Sequence, residues 1–214
     1  YQPAVQYLEA DDQIAYSCIQ LFKNNYEKVI VSTDRDYFQL VDLNTKVYRP
    51  VKTKENPKGE MINVRWMLDK EKVHPINYAL LKAIVGDKSD NINGISGVGE
   101  ATVKKDFPIL NFGVITLDKL LEHAEDRIGE GKTKYKKYIE SSGLIERNYK
   151  LVQLLDIDVS LQSIQALEKC YENKKTKFNS YKLRINLLNE NISPNNIDNW
   201  VSVFNSVRHE PITF

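Results

Sequence analysis

The sequence predicts an α/β chain: residues 1–60 build a parallel sheet, and residues 61–214 are helical. Three observations carry this reading. The run Lys28–Ser32 (KVIVS) is short and β-branched, the composition of a strand buried in a parallel sheet. From Asn63 onward, apolar residues recur at helical spacing. Three carboxylate clusters stand where apolar stretches begin or end: Glu9, Asp11 and Asp12 in LEADD, Asp34 and Asp36 in STDRD, Asp87 and Asp90 in GDKSD.

In order along the chain, Ile14–Phe22 reads as an amphipathic helix with Ile14, Cys18, Leu21 and Phe22 on one face, and Asp11 and Asp12 precede it as N-cap candidates. Lys28–Ser32 is the strand just described. The acids of Thr33–Asp36 follow its C-terminal end, where α/β sheets place ligands. Tyr37–Val41 is a further apolar stretch, Lys46–Arg49 a further strand, and Pro50–Gly59 a Pro/Gly/Lys-rich loop. Val64–Leu68 and Ile76–Val85 read as apolar helices, and Asn91–Gly99 (NINGISGVG) as a glycine-rich tight turn. Further helices are expected at Glu100–Asp106, Leu117–Arg127, Lys134–Ser141, Leu144–Leu155, Ile164–Asn173 and Ile197–Val207.

Composition narrows the function. At 214 residues, with 42% hydrophobic and 28% charged residues, the chain can build a real core. A net charge of +1 gives no global basic excess, yet an acidic edge and basic patches would cancel in that sum. Cys18 and Cys170, with His74, His123 and His209, offer no zinc spacing. A reduced compartment follows, the cytoplasm, with Cys18 as a small core residue. No apolar run is long enough to span a bilayer, so no membrane partner is expected. Trp66 and Trp200 fall within apolar helical patterns and read as core.

So many carboxylates in one place repel one another unless divalent cations neutralise them, and hard oxygen donors suit Mg²⁺ or Mn²⁺. Each cluster has a plainer reading. LEADD can cap a helix, and GDKSDN can be a turn with Asx caps. STDRD is harder to dismiss, because two acids at i and i+2 past a strand end are not demanded by turn chemistry. Three such clusters in order point to two-metal phosphoryl chemistry. The glycine turn adds a phosphate grip: Gly94, Ile95, Ser96, Gly97, Val98 and Gly99 offer backbone amides at a helix start, and Lys104 and Lys105 supply sequence-independent charge. Its plain reading is a helix-connecting turn. The lysines of Gly131–Tyr138 (GKTKYKKY), and Lys174, Lys175 and Lys177, fit either a nucleic-acid backbone or a solvated face.

With LEADD, STDRDYFQLV and GDKSDNINGISGVGEATV in this order, the chain resembles the flap-endonuclease superfamily of 5′ nucleases. Within it the sequence is most similar to the ribonuclease H of T-even-type phages, through LEADDQIA, GDKSDN and the later ERNYKLVQLLDID. The resemblance covers nearly the whole length, closely to about residue 107. It implies a Rossmann-like sheet of the PIN/flap-nuclease type and a helix–three-turn–helix DNA-binding element over about 76–107. It implies a Mg²⁺-dependent 5′–3′ exonuclease and flap endonuclease in primer removal, using two ions with Mn²⁺ substituting. Its substrates would be duplex DNA, 5′ flaps and RNA–DNA hybrids, in the host cytoplasm where the gene is a phage's. By position, Glu9, Asp11, Asp12, Asp34, Asp36, Asp87 and Asp90 match metal ligands, and Glu9, Asp11, Asp34, Asp36 and Asp87 the catalytic set. Gly97 and Gly99 match the phosphate-gripping turn, with K⁺ held by backbone carbonyls around Ile95 and Val98. Single-strand-binding proteins and sliding clamps are the partners such enzymes work beside.

One departure stands out. Members of that superfamily carry a first strand ending in an aspartate, a second upstream aspartate and a basic helical arch, and none of these follows Tyr1. The expectation is a C-terminal portion whose activity needs an upstream segment, which can be supplied in trans. The rival expectation is a non-catalytic duplex-DNA-binding module with a vestigial acidic site. An RNA-directed PIN-like nuclease is a third, which the duplex-suited glycine turn disfavours.

Overall fold

The β-branched run forms strand β1 (Lys28–Val31), which pairs in parallel with β2 (Thr45–Arg49) in the register Ile30 opposite Val47. β2 in turn pairs antiparallel with β3 (Glu60–Ile62). The third strand turns an expected parallel sheet into a mixed one, of order β1-β2-β3. Connection length explains both pairings. A parallel pair needs a long crossover, here residues 32–44 with a 3₁₀ helix at Asp36–Leu40, whereas a shorter link returns the chain antiparallel. The computed structural model describes residues 5, 8–23, 26–51, 57, 59–157, 159–172, 179–192 and 197–206. Most of the Pro50–Gly59 loop, Lys174, Lys175, Lys177, His209 and the Trp200 side chain lie outside the described residues.

β1 is half buried, not fully buried as its composition suggests. Lys28 and Ile30 face inward while Val29 and Val31 are 48% and 66% exposed, so one face of the strand is packed and the other is open. Helix α1 (Ala10–Tyr16) precedes it and runs on as a π-helical turn, Ser17–Leu21. The helix starts earlier than its apolar pattern indicates: Glu9 takes the N-cap position without a side-chain cap bond, and Asp11 and Asp12 lie in the first turn. There the acids complement the positive end of the helix dipole.

After β3 comes α2 (Val64–Trp66), capped by the Asn63 side chain and continued by a π-helical turn, Met67–Glu71. A 3₁₀ turn at Pro75–Asn77 opens α3 (Tyr78–Val85), whose residues are largely buried. A two-residue hairpin, β4 (Gly86–Asp87) with β5 (Ile92–Asn93), leads to α4 (Glu100–Asp106). Then follow α5 (Leu117–Gly129), α6 (Lys136–Glu140) and α7 (Ser142–Val152). Residues Tyr7–Val159 pack as one unit. The chain from Ser160 belongs to a second, with α8 (Leu161–Glu172), α9 (Ser180–Asn189) and α10 (Ile197–Ser206). Helix α9 has no counterpart in the sequence reading, because its apolar residues fall all round the helix and its face is weakly defined.

The core of the first unit joins sheet and helices: Ile30, Val47 and Ile62 from the strands, Phe38 from the crossover, Tyr78 and Ile84 from α3. Helix α7 packs along α3. The fully buried Asn148 amide of α7 donates to the carbonyls of Ala83 (3.0 Å) in α3 and Asn93 (2.8 Å) at the end of β5, tying helix and hairpin together. Two glycines close the same hairpin. Gly86 has φ +81°, and a Cβ on Gly94 would lie 2.0 Å from the Val85 carbonyl oxygen, so no other residue fits that approach. Trp66 is half-buried rather than core, its indole N–H donating to Glu60 (2.6 Å) and its ring edge-on to Phe38. Cys18 is buried as expected, and burial pushes its thiol up to about 11.

Candidate metal centre

Two short side-chain turns shape the loop at the C-terminal end of β1. The Asp34 amide donates to Ser32 Oγ (3.0 Å), and the Asp36 amide donates to Asp34 Oδ1 (2.9 Å). Asp34 is exposed, its carboxylate folded back on its own loop. Asp36 opens the 3₁₀ helix whose next residues, Tyr37 and Phe38, are buried, so packing fixes where its carboxylate points. Asp87 ends β4, two residues after α3, and its carboxylate accepts from the Ser89 amide (2.8 Å) and hydroxyl. Ligand atoms of Asp36, Asp87 and Asp90 all lie within 4.8 Å of one another. Asp36 and Asp87 are half-buried and Asp90 is exposed.

A lysine stands in this cluster. Lys82, in the last turn of α3, ion-pairs with both Asp36 and Asp87. The two acids respond in opposite directions. Burial raises Asp36, and Asp34 and Asp87 add repulsion that Lys82 only partly offsets. Burial also pushes Asp87 upward, but Lys82 and the two Ser89 donors outweigh it and hold the carboxyl at about 2. Burial works against the Lys82 charge, yet the paired carboxylates raise its pKa.

The first cluster joins through Tyr37, whose hydroxyl donates to Asp11. Burial raises the Tyr37 phenol, and Asp11, Asp34 and Asp36 add to the rise. Burial and the neighbouring Glu9 raise Asp12. Among the described residues, Glu9, Asp11, Asp12 and Asp34 are not part of the tight group formed by Asp36, Asp87 and Asp90.

Arg35 lies between Asp34 and Asp36 but pairs with neither. Its guanidinium grips Glu100 through both Nη atoms (3.2 and 3.2 Å) and reaches Glu71 (2.9 Å). It also sits 5.7 Å over the Phe38 ring and 5.8 Å over Tyr78. Lys104 completes the network on Glu71 (2.7 Å) and Glu100 (3.1 Å). Lys104 is therefore held inside the protein's own ion pairs, while its neighbour Lys105 is exposed.

In the glycine turn, Ile95 and Val98 bury their side chains, and the Val98 amide donates to the Ile95 carbonyl (3.0 Å). Ser96, Gly97 and Gly99 are exposed, and Gly97 has φ +71°. The Gly99 carbonyl accepts the Thr102 and Val103 amides that start α4. In GKTKYKKY, Lys134 pairs with Asp106 and Lys137 stacks on Tyr138, so this stretch is largely tied into the fold. His74 caps the turn before α3, and His123 packs at a tilt against Phe107.

Sequence reasoning missed Lys82, Arg35, Glu71 and Tyr37. Lys82 left one signal: a lone cation inside the apolar segment Ile76–Val85, five residues before Asp87. Arg35 and Glu71 left none, since their partners are 65 and 36 residues away.

The small sheet followed by helices is the fold of the phage 5′ exonucleases. The T5 5′-exonuclease, solved with divalent zinc ions bound, superposes with a TM-score of 0.52 and 25% identity, covering 76% of this chain and 57% of that one. A 5′-3′ exonuclease of Aquifex aeolicus is 30% identical over 179 residues, 82% of this chain and 56% of that protein. DNA polymerase I of Thermus thermophilus is 36% identical over 97 residues, 45% of this chain and 11% of the polymerase. The chain thus spans about half of the Aquifex exonuclease and a ninth of the polymerase. No protein-family model matches it. The chain belongs to the 5′–3′ exonuclease and flap-endonuclease superfamily.

Proposed function

We propose that this chain carries most of the catalytic centre of a divalent-metal-dependent 5′–3′ nuclease acting on duplex DNA, 5′ flaps and RNA–DNA hybrids. The convergence of Asp36, Asp87 and Asp90 within 4.8 Å, a few residues from the glycine turn, carries the reading. A group of close carboxylate oxygens fits a hard divalent ion such as Mg²⁺ or Mn²⁺. Asp36, Asp87 and Asp90 would hold one ion, and Asp34, with Asp11, Asp12 and Glu9, would serve a second. Such ions supply an activated water and charge stabilisation at the scissile phosphate. The chain's residues do the positioning: Ser32 and Ser89 fix the acidic loops, and the Tyr37 hydroxyl holds the Asp11 carboxylate. The exposed backbone at Ser96, Gly97 and Gly99 and the Lys105 ammonium would grip duplex phosphates. A K⁺ on the Ile95 and Val98 carbonyls belongs to the same proposal.

A further segment, on this or another polypeptide, would complete the carboxylate set. Among the described residues β1 is an end strand of the sheet, a position open to pairing with a further strand, which supports this. Cytoplasmic work beside a single-strand-binding protein or a clamp is the corresponding cellular setting. The test is cleavage of a 5′-labelled RNA–DNA hybrid or flap with Mg²⁺, by this chain with and without the superfamily's upstream segment. Cleavage abolished by Asp36→Asn is expected. Undiminished cleavage by that variant would sink the catalytic assignment. Salt-sensitive duplex binding with no calorimetric Mg²⁺ signal would favour the non-catalytic binding module.

A further inference from the structure

An arginine flanked by two acids would ordinarily neutralise them. Arg35 instead turns away from Asp34 and Asp36, leaving both for other cations, and places its guanidinium on Glu100 and Glu71. Glu100 is the first residue of α4, immediately after Gly99 of the glycine turn. The grip on Glu100 is two-pronged, and the guanidinium packs beside the Phe38 and Tyr78 rings, so it cannot swivel independently of its loop. Lys104 braces the same two glutamates from the next turn of α4, and the four charges sum to zero. Glu71, at 14% side-chain exposure, is the least exposed of the four and sits at the end of the π-helical turn after α2.

From this geometry we infer that Arg35 is a positioning residue that couples the glycine turn to the carboxylate cluster. A shift of α4 as the turn takes up a duplex moves Glu100. The bidentate pair carries that shift to the backbone at 34–36, which sets the Asp36 carboxylate. By linkage the coupling is reciprocal: an ion drawn in by Asp36 with Asp87 and Asp90 alters the turn's affinity for duplex by the same factor. A merely structural network would stabilise the fold and leave the two bindings independent. The inference rests on the proposed nuclease reading, since it needs both a metal and a duplex.

The test uses the purified 214-residue chain and a short fluorescein-labelled DNA duplex. Anisotropy gives the duplex Kd with and without Mn²⁺ at fixed ionic strength, and the ratio of the two is the coupling factor. A roughly fivefold or larger tightening by Mn²⁺ is expected, at the low end of ordinary allosteric couplings. Arg35→Met, which keeps the stem over the rings, should bring the factor to about one whatever the change in metal-free Kd, and Arg35→Lys should restore part of it. Glu100→Gln gives a second route to the same loss, should Arg35→Met impair folding. A coupling factor unchanged in both folded variants overturns the inference while the nuclease reading stands, as does metal and duplex binding by the parent chain with a factor of one. A parent chain that binds neither removes both.

Discussion

Lys82 reaches from the last turn of α3 to Asp36, 46 residues earlier, and puts an ammonium where a metal-binding site would hold its ion. The same ammonium pairs with Asp87. Side-chain exposures of 14% for Lys82, 18% for Asp36 and 12% for Asp87 mean these charges are only thinly screened by solvent. Lys82 is therefore a tethered counter-ion that lets a crowded acid cluster fold.

Replacing it tests that role. Lys82→Met leaves two poorly solvated carboxylates facing each other, which should lower stability by about 2 kcal/mol, discounted from the fully buried case. For a chain of this size that is roughly a 4–8 °C fall in Tm. Added Mg²⁺ should then raise the variant's Tm more than the parent's, because the ion restores the missing positive charge. Differential scanning calorimetry with and without Mg²⁺ measures both effects. Equal Mg²⁺ shifts in parent and variant would show that lysine and metal do not share the site.

Acid should weaken the fold through Asp87 and Asp106. Burial pushes Asp106 upward, but Lys134 and the Tyr138 hydroxyl outweigh it, so its folded pKa is depressed, as is that of Asp87 at about 2. A depressed carboxyl contributes stability that is fully present above its unfolded value near 3.8 and is lost as pH falls through the folded one. Asp36 is shifted the other way, so its protonation relieves a penalty and partly offsets the loss. Urea midpoints should therefore drop between about pH 4 and pH 2, and Asp106→Asn should flatten that slope while lowering stability at neutral pH. A slope unchanged by Asp106→Asn would remove Asp106 from the explanation.

The limits of the sequence follow from the same residues. Strand β1, the acid clusters and the glycine turn were legible because their signals are local: a β-branched run, acids at i and i+2, glycines in a short span. The antiparallel β3 was not, since three residues carry too little pattern to read. Arg35 and Lys82 were invisible as site residues for another reason. Their roles depend on partners brought close only by the crossover of residues 32–44 and the packing of α3. Lys104 shows the converse, a residue whose sequence position suggested phosphate contact but whose ammonium the fold encloses between two glutamates.

Gly94 offers a geometric test of how the third acid cluster is placed. An added methyl would collide with the Val85 carbonyl oxygen at 2.0 Å and the Gly86 amide at 2.5 Å, both of them backbone. Relief requires opening the β4–β5 pairing that presents Asp87. Gly94→Ala should thus reduce divalent-ion affinity, read by isothermal calorimetry, while far-UV circular dichroism keeps the helical signal. Gly99→Ala, with nothing within 4 Å of the new methyl and an extended backbone, should leave ion affinity unchanged. Equal effects from the two would contradict the hairpin's role.

Adjacent lysines on α4 should separate charge that faces duplex from charge that holds the fold. Lys105 is exposed, so Lys105→Ala should weaken duplex binding across all sequences and lower the slope of log K against log salt by about one. Lys104 has 20% side-chain exposure and is engaged by Glu71 and Glu100, so Lys104→Ala should lower Tm. Its salt slope should stay near the parent's, because an ammonium already paired with carboxylates displaces few counterions from DNA. Anisotropy titrations at several salt concentrations, beside a melting curve for each variant, read the two effects separately. If Lys104→Ala lost a full unit of slope with Tm unchanged, the ion-pair network would be one that opens to meet the duplex.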